Sequence, residues 1–200
     1  MALPHHLLTS ALPCGEWVLS NINLAQSCKS LNFINLMCYD FAGPWTDQCG
    51  HQAQLFSPKR AHNEASKVSC NSAVHYLLSH GVPPGQILLG IPAYGRSFLG
   101  ANKVGDSYHG GAGEDGVFEY RDLPRRKAII GFDDKCGATY SVGGDAGFLS
   151  YDDPKSVSMK ADFVRKNGLG GLFYWTGTGD TNDERSLVAT GWRTLNNSEG

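Results

Sequence analysis

The stretch NLMCYDFAGPW, residues 35–45, sets a phenol (Tyr39), a carboxylate (Asp40) and an indole (Trp45) in quick succession at the end of an apolar run. Comparable groups follow other apolar runs: Tyr94 and Arg96 after QILLGIPAY (86–94), and Trp175 and Asp180 at and beyond LGGLFYW (169–175). Aromatic rings offer apolar faces, while hydroxyl, carboxylate and guanidinium groups offer directed donors and acceptors. A sugar has apolar ring faces and a rim of hydroxyls, so this combination suits a carbohydrate. Taken singly, a Tyr or Trp at a strand end is packing, and Arg96 has a structural role in pairing with a carboxylate. The functional reading rests on several strand ends carrying such groups at once.

Those ends need elements to converge them. Five short apolar runs carry the organisation: 7–13, 32–41, 86–94, 127–132 and 169–175. Four read as parallel strands covered on both faces, being near-continuous and rich in Leu and Ile. Helical patterns lie between them at roughly 20–31, 65–80 and 154–167. In the second, Val68, Val74, Leu77 and Leu78 form a stripe and Gly81 a stop. In the third, Asp153 is the expected N-cap, Pro154 the first helical residue and Gly168 the residue past the end. Strand and helix in alternation predict βα units around a parallel sheet, and in βα barrels the C-terminal strand ends form the active face.

Residues 97–150 break the alternation. They are dense in Gly and aromatic residues, with a period-2 piece that sets Val117, Glu119 and Arg121 opposite Phe118, Tyr120 and Asp122. This reads as a small antiparallel α+β insertion. Gly111, Gly113 and Gly116 match G-x-G-x-x-G, but no strand precedes them and a strand-like segment follows, so a glycine turn is expected rather than a dinucleotide cradle.

Composition narrows the partners. The 200 residues, 41% hydrophobic, suit one ordinary globular domain. A net charge of -2 provides no basic field for nucleic acid or an anionic membrane. No run of 18 apolar residues predicts a membrane span. The N-terminal MALPHHLLTSALPCG is a poor secretory signal, lacking a basic start and broken by Pro4, His5 and His6. Either export by that route does not operate or residue 1 is not the natural start. Asn196-Asn197-Ser198 is one glycosylation triplet. The six cysteines include no C-x-x-C pair, so zinc-ribbon and thioredoxin readings lose their spacing, and neither a metal nor a cofactor is expected. Cys49 and Cys70 flank a polar stretch that a disulfide between them would close, although sequence leaves the pairing unassigned. Cys38, inside an apolar run, reads as a small buried hydrophobe.

LMCYDFAGPW resembles the Met-x-Tyr-Asp segment of glycoside hydrolase family 18 chitinases, most of all the fungal and bacterial type that carries an α+β insertion. ILLGIPAYGRSF is similar to that family's seventh barrel strand, FLSYDDPKSVSMKADFVRKNGLGG to the segment returning from the insertion, and GLFYW to the eighth strand. The resemblance spans roughly residues 7–195, with the motifs in order. It implies a partial (β/α)8 barrel: strands about 5 to 7 within 1–96, the insertion at 97–150, and the last helix, strand 8 and tail at 151–200. It also implies chitin or a chitooligosaccharide as ligand, an extracellular location and no cofactor. Tyr39 would bond the N-acetyl group of the sugar, with Asp40 supporting it. Trp175 would floor the sugar ring, Trp45 would stack on the leaving-group side, and Tyr94 and Arg96 would contact substrate. The implied mechanism is substrate-assisted and retaining: the acetamido oxygen attacks the anomeric carbon while an enzyme Glu protonates the leaving oxygen.

That Glu closes an Asp-x-x-Asp-x-Asp-x-Glu motif, and this sequence contains no Asp-x-Asp-x-Glu. Asp180, Asp183 and Glu184 come nearest, with the wrong spacing and after the expected eighth strand. A positioned general acid contributes roughly 10²–10⁴-fold in rate, so negligible turnover is expected of this chain alone. A half barrel exposes two sheet edges and an inner face, which predicts marginal stability, self-association, or union with a partner supplying the N-terminal half. Two other readings stand beside the chitinase one: a non-catalytic chitooligosaccharide-binding protein, and a degenerate chain without ligand.

Overall fold

The computed structural model describes residues 6–59 and 64–197. In chain order it contains β1 (Thr9–Pro13), α1 (Glu16–Leu19), α2 (Leu24–Ser27), β2 (Phe33–Met37), α3 (Glu64–Lys67), α4 (Cys70–Ser79), β3 (Ile87–Pro92) and β4 (Tyr94–Phe98). There follow β5 (Val117–Glu119), β6 (Ala128–Asp133), β7 (Ala138–Gly143), β8 (Phe148–Tyr151), α5 (Pro154–Lys166), β9 (Gly171–Trp175) and α6 (Leu187–Asn196).

Four of the five apolar runs form one parallel sheet in the order β1-β2-β3-β9. Successive side chains of a strand point to opposite faces. Ile34, Leu36 and Cys38 of the β2 segment, and Ile87, Leu89 and Ile91 of β3, lie on one face and are completely buried. All but Ile91 pack with Val74 and Leu77 of α4 and Val164 of α5, while Ile91 joins a neighbouring cluster with Val157 of α5 and Leu187 of α6. Burying each such side chain contributes roughly 1.5–3 kcal/mol. Phe33, Asn35, Met37 and Leu88 point the other way and are only half-buried. This corrects the expectation of strands covered on both faces: one side of the sheet is helix-covered, the other is open, and β1 and β9 are its edges.

The fifth run, 127–132, supplies β6 of a separate antiparallel sheet, ordered β5-β4-β8-β7-β6. Its Ile129 and Ile130 are exposed. Between β3 and β4 the chain passes from one sheet to the other through Ala93, whose N–H donates to the Trp175 carbonyl at 2.8 Å and whose carbonyl accepts from the Tyr120 N–H at 3.0 Å. Strand β4 thus begins at Tyr94, inside the segment assigned by sequence to the βα units. β5 ends at Glu119, where residues 120–122 tighten into a 3-10 turn instead of continuing the alternation. The Gly111–Gly116 segment closes as a turn, bridged between Glu114 and Val117.

Local signals explain the helices. Ser69 caps α4 reciprocally with Ser72, so that helix starts later than the stripe implied. Asp153 caps α5 reciprocally with Ser156, with Pro154 in the first turn as expected. The chain leaves these two helices through Gly81 and Gly168, whose φ of +83° and +61° suits a residue without Cβ. The pattern over 20–31 yields one single turn, α2, which begins where the Asn23 side chain accepts from the Gln26 N–H; another single turn, α1, precedes the predicted range. Beneath the helices, Lys160 and Asp152 form a fully buried ion pair at 2.5 Å, with Ser156 donating to the same carboxylate at 2.7 Å. Burial opposes the charge on Lys160, and Asp152 more than offsets it, holding the ammonium above its usual range.

All six cysteines are free, which overturns the expected Cys49–Cys70 bridge. The two thiols belong to different cores. Cys70 begins α4 and points beneath the parallel sheet, near the Cys38 carbonyl. Cys49 packs with Phe98 and Phe148, its thiol donating to the Lys103 carbonyl at 2.9 Å. Cys38 is fully buried as expected, and desolvation pushes its thiol well up. No helix among the described residues is long and apolar enough to cross a membrane. Ser198 of the glycosylation triplet and Met1–His5 of the N-terminal segment lie outside the described residues.

Candidate functional site

Strand β2 delivers Tyr39 and Asp40 at its C-terminal end. Asp40 sits at φ +62°, a left-handed conformation that costs most residues energy and that Asp tolerates better than most. Its Oδ1 accepts from the Tyr94 hydroxyl at 2.7 Å and from the Arg96 Nε at 2.6 Å. Tyr94 and Arg96 share a face of β4, two residues apart. The Arg96 guanidinium also lies 4.6 Å above the centre of the Trp45 ring, a cation–π contact. One carboxylate thus anchors a hydroxyl and a cation, and the cation steadies an indole.

Tyr39 has a different setting. Its ring meets Tyr94 edge-on at 6.1 Å and Phe173 edge-on at 6.3 Å. Beneath it lies Gly90 of β3, where a Cβ would stand 2.8 Å from the Leu36 carbonyl, the Phe173 ring and the Tyr39 ring. The absence of a side chain at 90 is what allows the two rings to settle over the sheet. Burial first, and the Asp40 charge second, push the Tyr39 phenol up to about 12, so at neutral pH it is a hydrogen-bond donor.

Tyr39, Asp40 and Trp45 line an open cleft of about 730 Å³ together with Met37, Trp17 and Tyr76. Trp45 is 57% exposed. Trp175, 58% exposed, ends β9 on the same side of that strand as Phe173 and borders the open face of the sheet rather than this cleft. Tyr94 and Arg96 stand behind the lining and hold Asp40. Asp180 belongs elsewhere: its carboxylate accepts from Leu187 N–H at 2.9 Å, Val188 N–H at 3.1 Å and the Ser186 hydroxyl at 2.8 Å, closing the start of α6. Asp183 pairs with Arg185 on the surface.

Sequence reasoning missed Trp17. It lies on α1, directly after β1, and presents a 70% exposed indole to the same cleft. The signal was there: an indole four residues past a strand end, in PCGEW, as in the three strand ends that were recognised. Tyr76, which also lines the cleft, carried no such mark because its helical position reads as packing.

A cleft lined by aromatic rings thus lies at the C-terminal ends of parallel strands in an α/β protein, where such folds place their sites. The model of glycosyl hydrolases family 18 matches residues 2–180, and the chain belongs to that family. It is 33% identical over 199 residues to Chitinase 1 of Aphanocladium album, covering 98% of this chain and 47% of that protein. Among solved structures, YKL-39, crystallised in the presence of chitooligosaccharides, superposes with a TM-score of 0.90 at 26% identity, covering 99% of this chain and 60% of its own. A mutant class V chitinase from Nicotiana tobaccum in complex with NAG4 superposes at 0.82 with 31% identity, covering 95% and 56%. These neighbours have a TIM-barrel fold. The chain spans about half the length of the curated relatives it matches.

Proposed function

We propose that this chain is the C-terminal, substrate-holding part of a chitinase-type glycoside hydrolase. In this reading β1, β2, β3 and β9 are about strands 5 to 8 of a (β/α)8 barrel, and residues 97–150 are its α+β insertion. An open sheet face, two unpaired edge strands and coverage of 47% of a full-length relative support it. Tyr39 donates to the acetamido oxygen of an N-acetylglucosamine, Asp40 supports it, Trp175 floors the sugar and Trp45 stacks beyond. Tyr94 and Arg96 act mainly by fixing Asp40. Cleavage follows the family's substrate-assisted retaining route, in which the acetamido group replaces an enzyme nucleophile. The general acid is not encoded in these 200 residues. The chain alone therefore binds and orients without efficient turnover, and an extracellular setting accords with a polymeric substrate.

The observation that carries this reading is Asp40 held at once by Tyr94 and Arg96, with Tyr39 beside it over the cleft. Co-expression with a family N-terminal half bearing Asp-x-x-Asp-x-Asp-x-Glu tests it. Restored hydrolysis of a chitooligosaccharide is expected; a soluble, associated pair without turnover counts against it. The missing Asp-x-Asp-x-Glu equally favours a non-catalytic chitooligosaccharide-binding role. That second reading predicts retention on chitin that Trp175→Ala reduces several-fold.

A further inference from the structure

Away from the cleft, three chemically distinct donors meet under the antiparallel sheet. His51 comes from the segment after Trp45, and Asp133 and Cys136 from the β6–β7 turn. One imidazole nitrogen, one carboxylate oxygen and the thiol sulfur all lie within 4.8 Å of one another. We propose that His51, Asp133 and Cys136 form a structural site for a zinc-class divalent ion.

The hydrogen bonding of His51 is the first argument. The residue is 4% exposed and packs beside the rings of Tyr140 and Phe148, which stack on each other. Its Nε2, the nitrogen that faces Asp133, stands 3.4 Å from Oδ2, long for a charge-assisted hydrogen bond. That nitrogen is a buried polar atom held only weakly, and an ion between Nε2 and Oδ2 would bind both. Ligands about 2.1 Å from a tetrahedral zinc stand roughly 3.4 Å apart, and a sulfur at about 2.3 Å stands roughly 3.6 Å from them. The His51–Asp133 separation already has that value.

The carboxylate is also oriented for the role. Asp133 Oδ1 is occupied by the N–H groups of Lys135 at 3.0 Å and Cys136 at 3.1 Å, which turns Oδ2 toward His51. Outer hydrogen bonds of this kind fix ligands at metal sites. A small cavity of about 60 Å³ adjoins the three groups, enough for an ion and a water as fourth ligand. A nitrogen, a sulfur and a single carboxylate favour zinc over calcium or magnesium, which demand more oxygens. On binding, Cys136 releases its proton to solvent and coordinates as thiolate. The ion ties the β6–β7 turn to the segment that carries Trp45, reinforcing the bond from Phe56 N–H to the Cys136 carbonyl at 3.0 Å.

The test uses the full chain with Zn²⁺ in competition with a chromophoric chelator, then with Co²⁺ as a spectroscopic stand-in. One zinc per chain is expected, weakened in Cys136→Ser and His51→Asn by more than the ~10–100-fold that loss of an outer partner costs. Cys49→Ser should leave binding unchanged. Cobalt should give a sulfur-to-metal charge-transfer band in the wild type that Cys136→Ser lacks. Equal zinc binding by wild type and Cys136→Ser, or no sulfur–cobalt band in the wild type, overturns the proposal. The wild-type cobalt spectrum decides even where a variant fails to fold.

Discussion

Asp40 and Arg96, separated by 56 positions in sequence, meet with Nε donating to Oδ1 at 2.6 Å, and this contact joins the end of the parallel sheet to the start of the antiparallel one. Asn keeps the left-handed backbone at 40 while removing the charge. Hydrogen bonds to charged groups contribute about 1.5–3 kcal/mol. Asp40→Asn should therefore weaken chitotetraose binding about tenfold or more in calorimetry, with a lowered Tm. An unchanged affinity would remove Asp40 from the site.

Trp45 and Trp175 leave more than half of their surface in water, a poor use of an indole unless a ligand covers it. Truncating either to Ala should reduce retention on chitin several-fold while leaving Tm within a degree or two, because little packing is lost. Trp17→Ala should behave likewise. Its neutrality in a pull-down would restrict the ligand to the β2 side of the cleft.

The Lys160–Asp152 pair is completely buried. Removing one partner strands a charge in the core, which costs about 3–5 kcal/mol. Lys160→Met should lower the urea midpoint accordingly, and the double variant Lys160→Met/Asp152→Leu should recover most of the loss. A single variant as stable as wild type contradicts the burial of the charge.

Tyr39 titrates near 12 when folded against about 10 when unfolded. The folded state therefore holds the phenolic proton more tightly. That stability is fully present below about pH 10 and declines as pH rises toward about 12. Burial shifts Tyr120, Tyr151 and Tyr174 in the same direction. Denaturation midpoints followed together with tyrosinate absorbance should show this fall, less steep in Tyr39→Phe.

Six free thiols are expected on denaturation without reductant. Titration with a chromogenic disulfide should count all six, and slowly before unfolding because desolvation raises the thiols of Cys14, Cys38 and Cys70. A count of four would restore a bridge.

Much of this was legible because it is written locally. The four parallel strands, the Asp153 cap, the Gly81 and Gly168 exits, and the cluster of Tyr39, Asp40 and Trp45 all follow from neighbours in sequence. What was missed depends on partners distant in the chain. The strands read as two-sided because Leu- and Ile-rich runs look alike whether one face or both are covered, and only the half-buried Phe33 and Leu88 reveal the difference. Asp180 looked like a sugar ligand because its role depends on where α6 begins, seven residues later. Cys49 and Cys70 looked like partners because loop closure can be imagined from spacing, while the directions of their thiols cannot. His51 and Asp133, 82 positions apart, left no spacing signal at all.

Gly90 sets a dimension. Leu36, Phe173 and Tyr39 converge to 2.8 Å around the place its Cβ would occupy. The height of the phenol above the sheet is therefore fixed by a hydrogen atom, and under the proposed function so is the depth to which a sugar's amide would sink. An added methyl cannot be absorbed by the Leu36 backbone, so it must lift one of the two rings. The tolerance of this floor is narrower than one carbon, and the residue that enforces it touches no ligand.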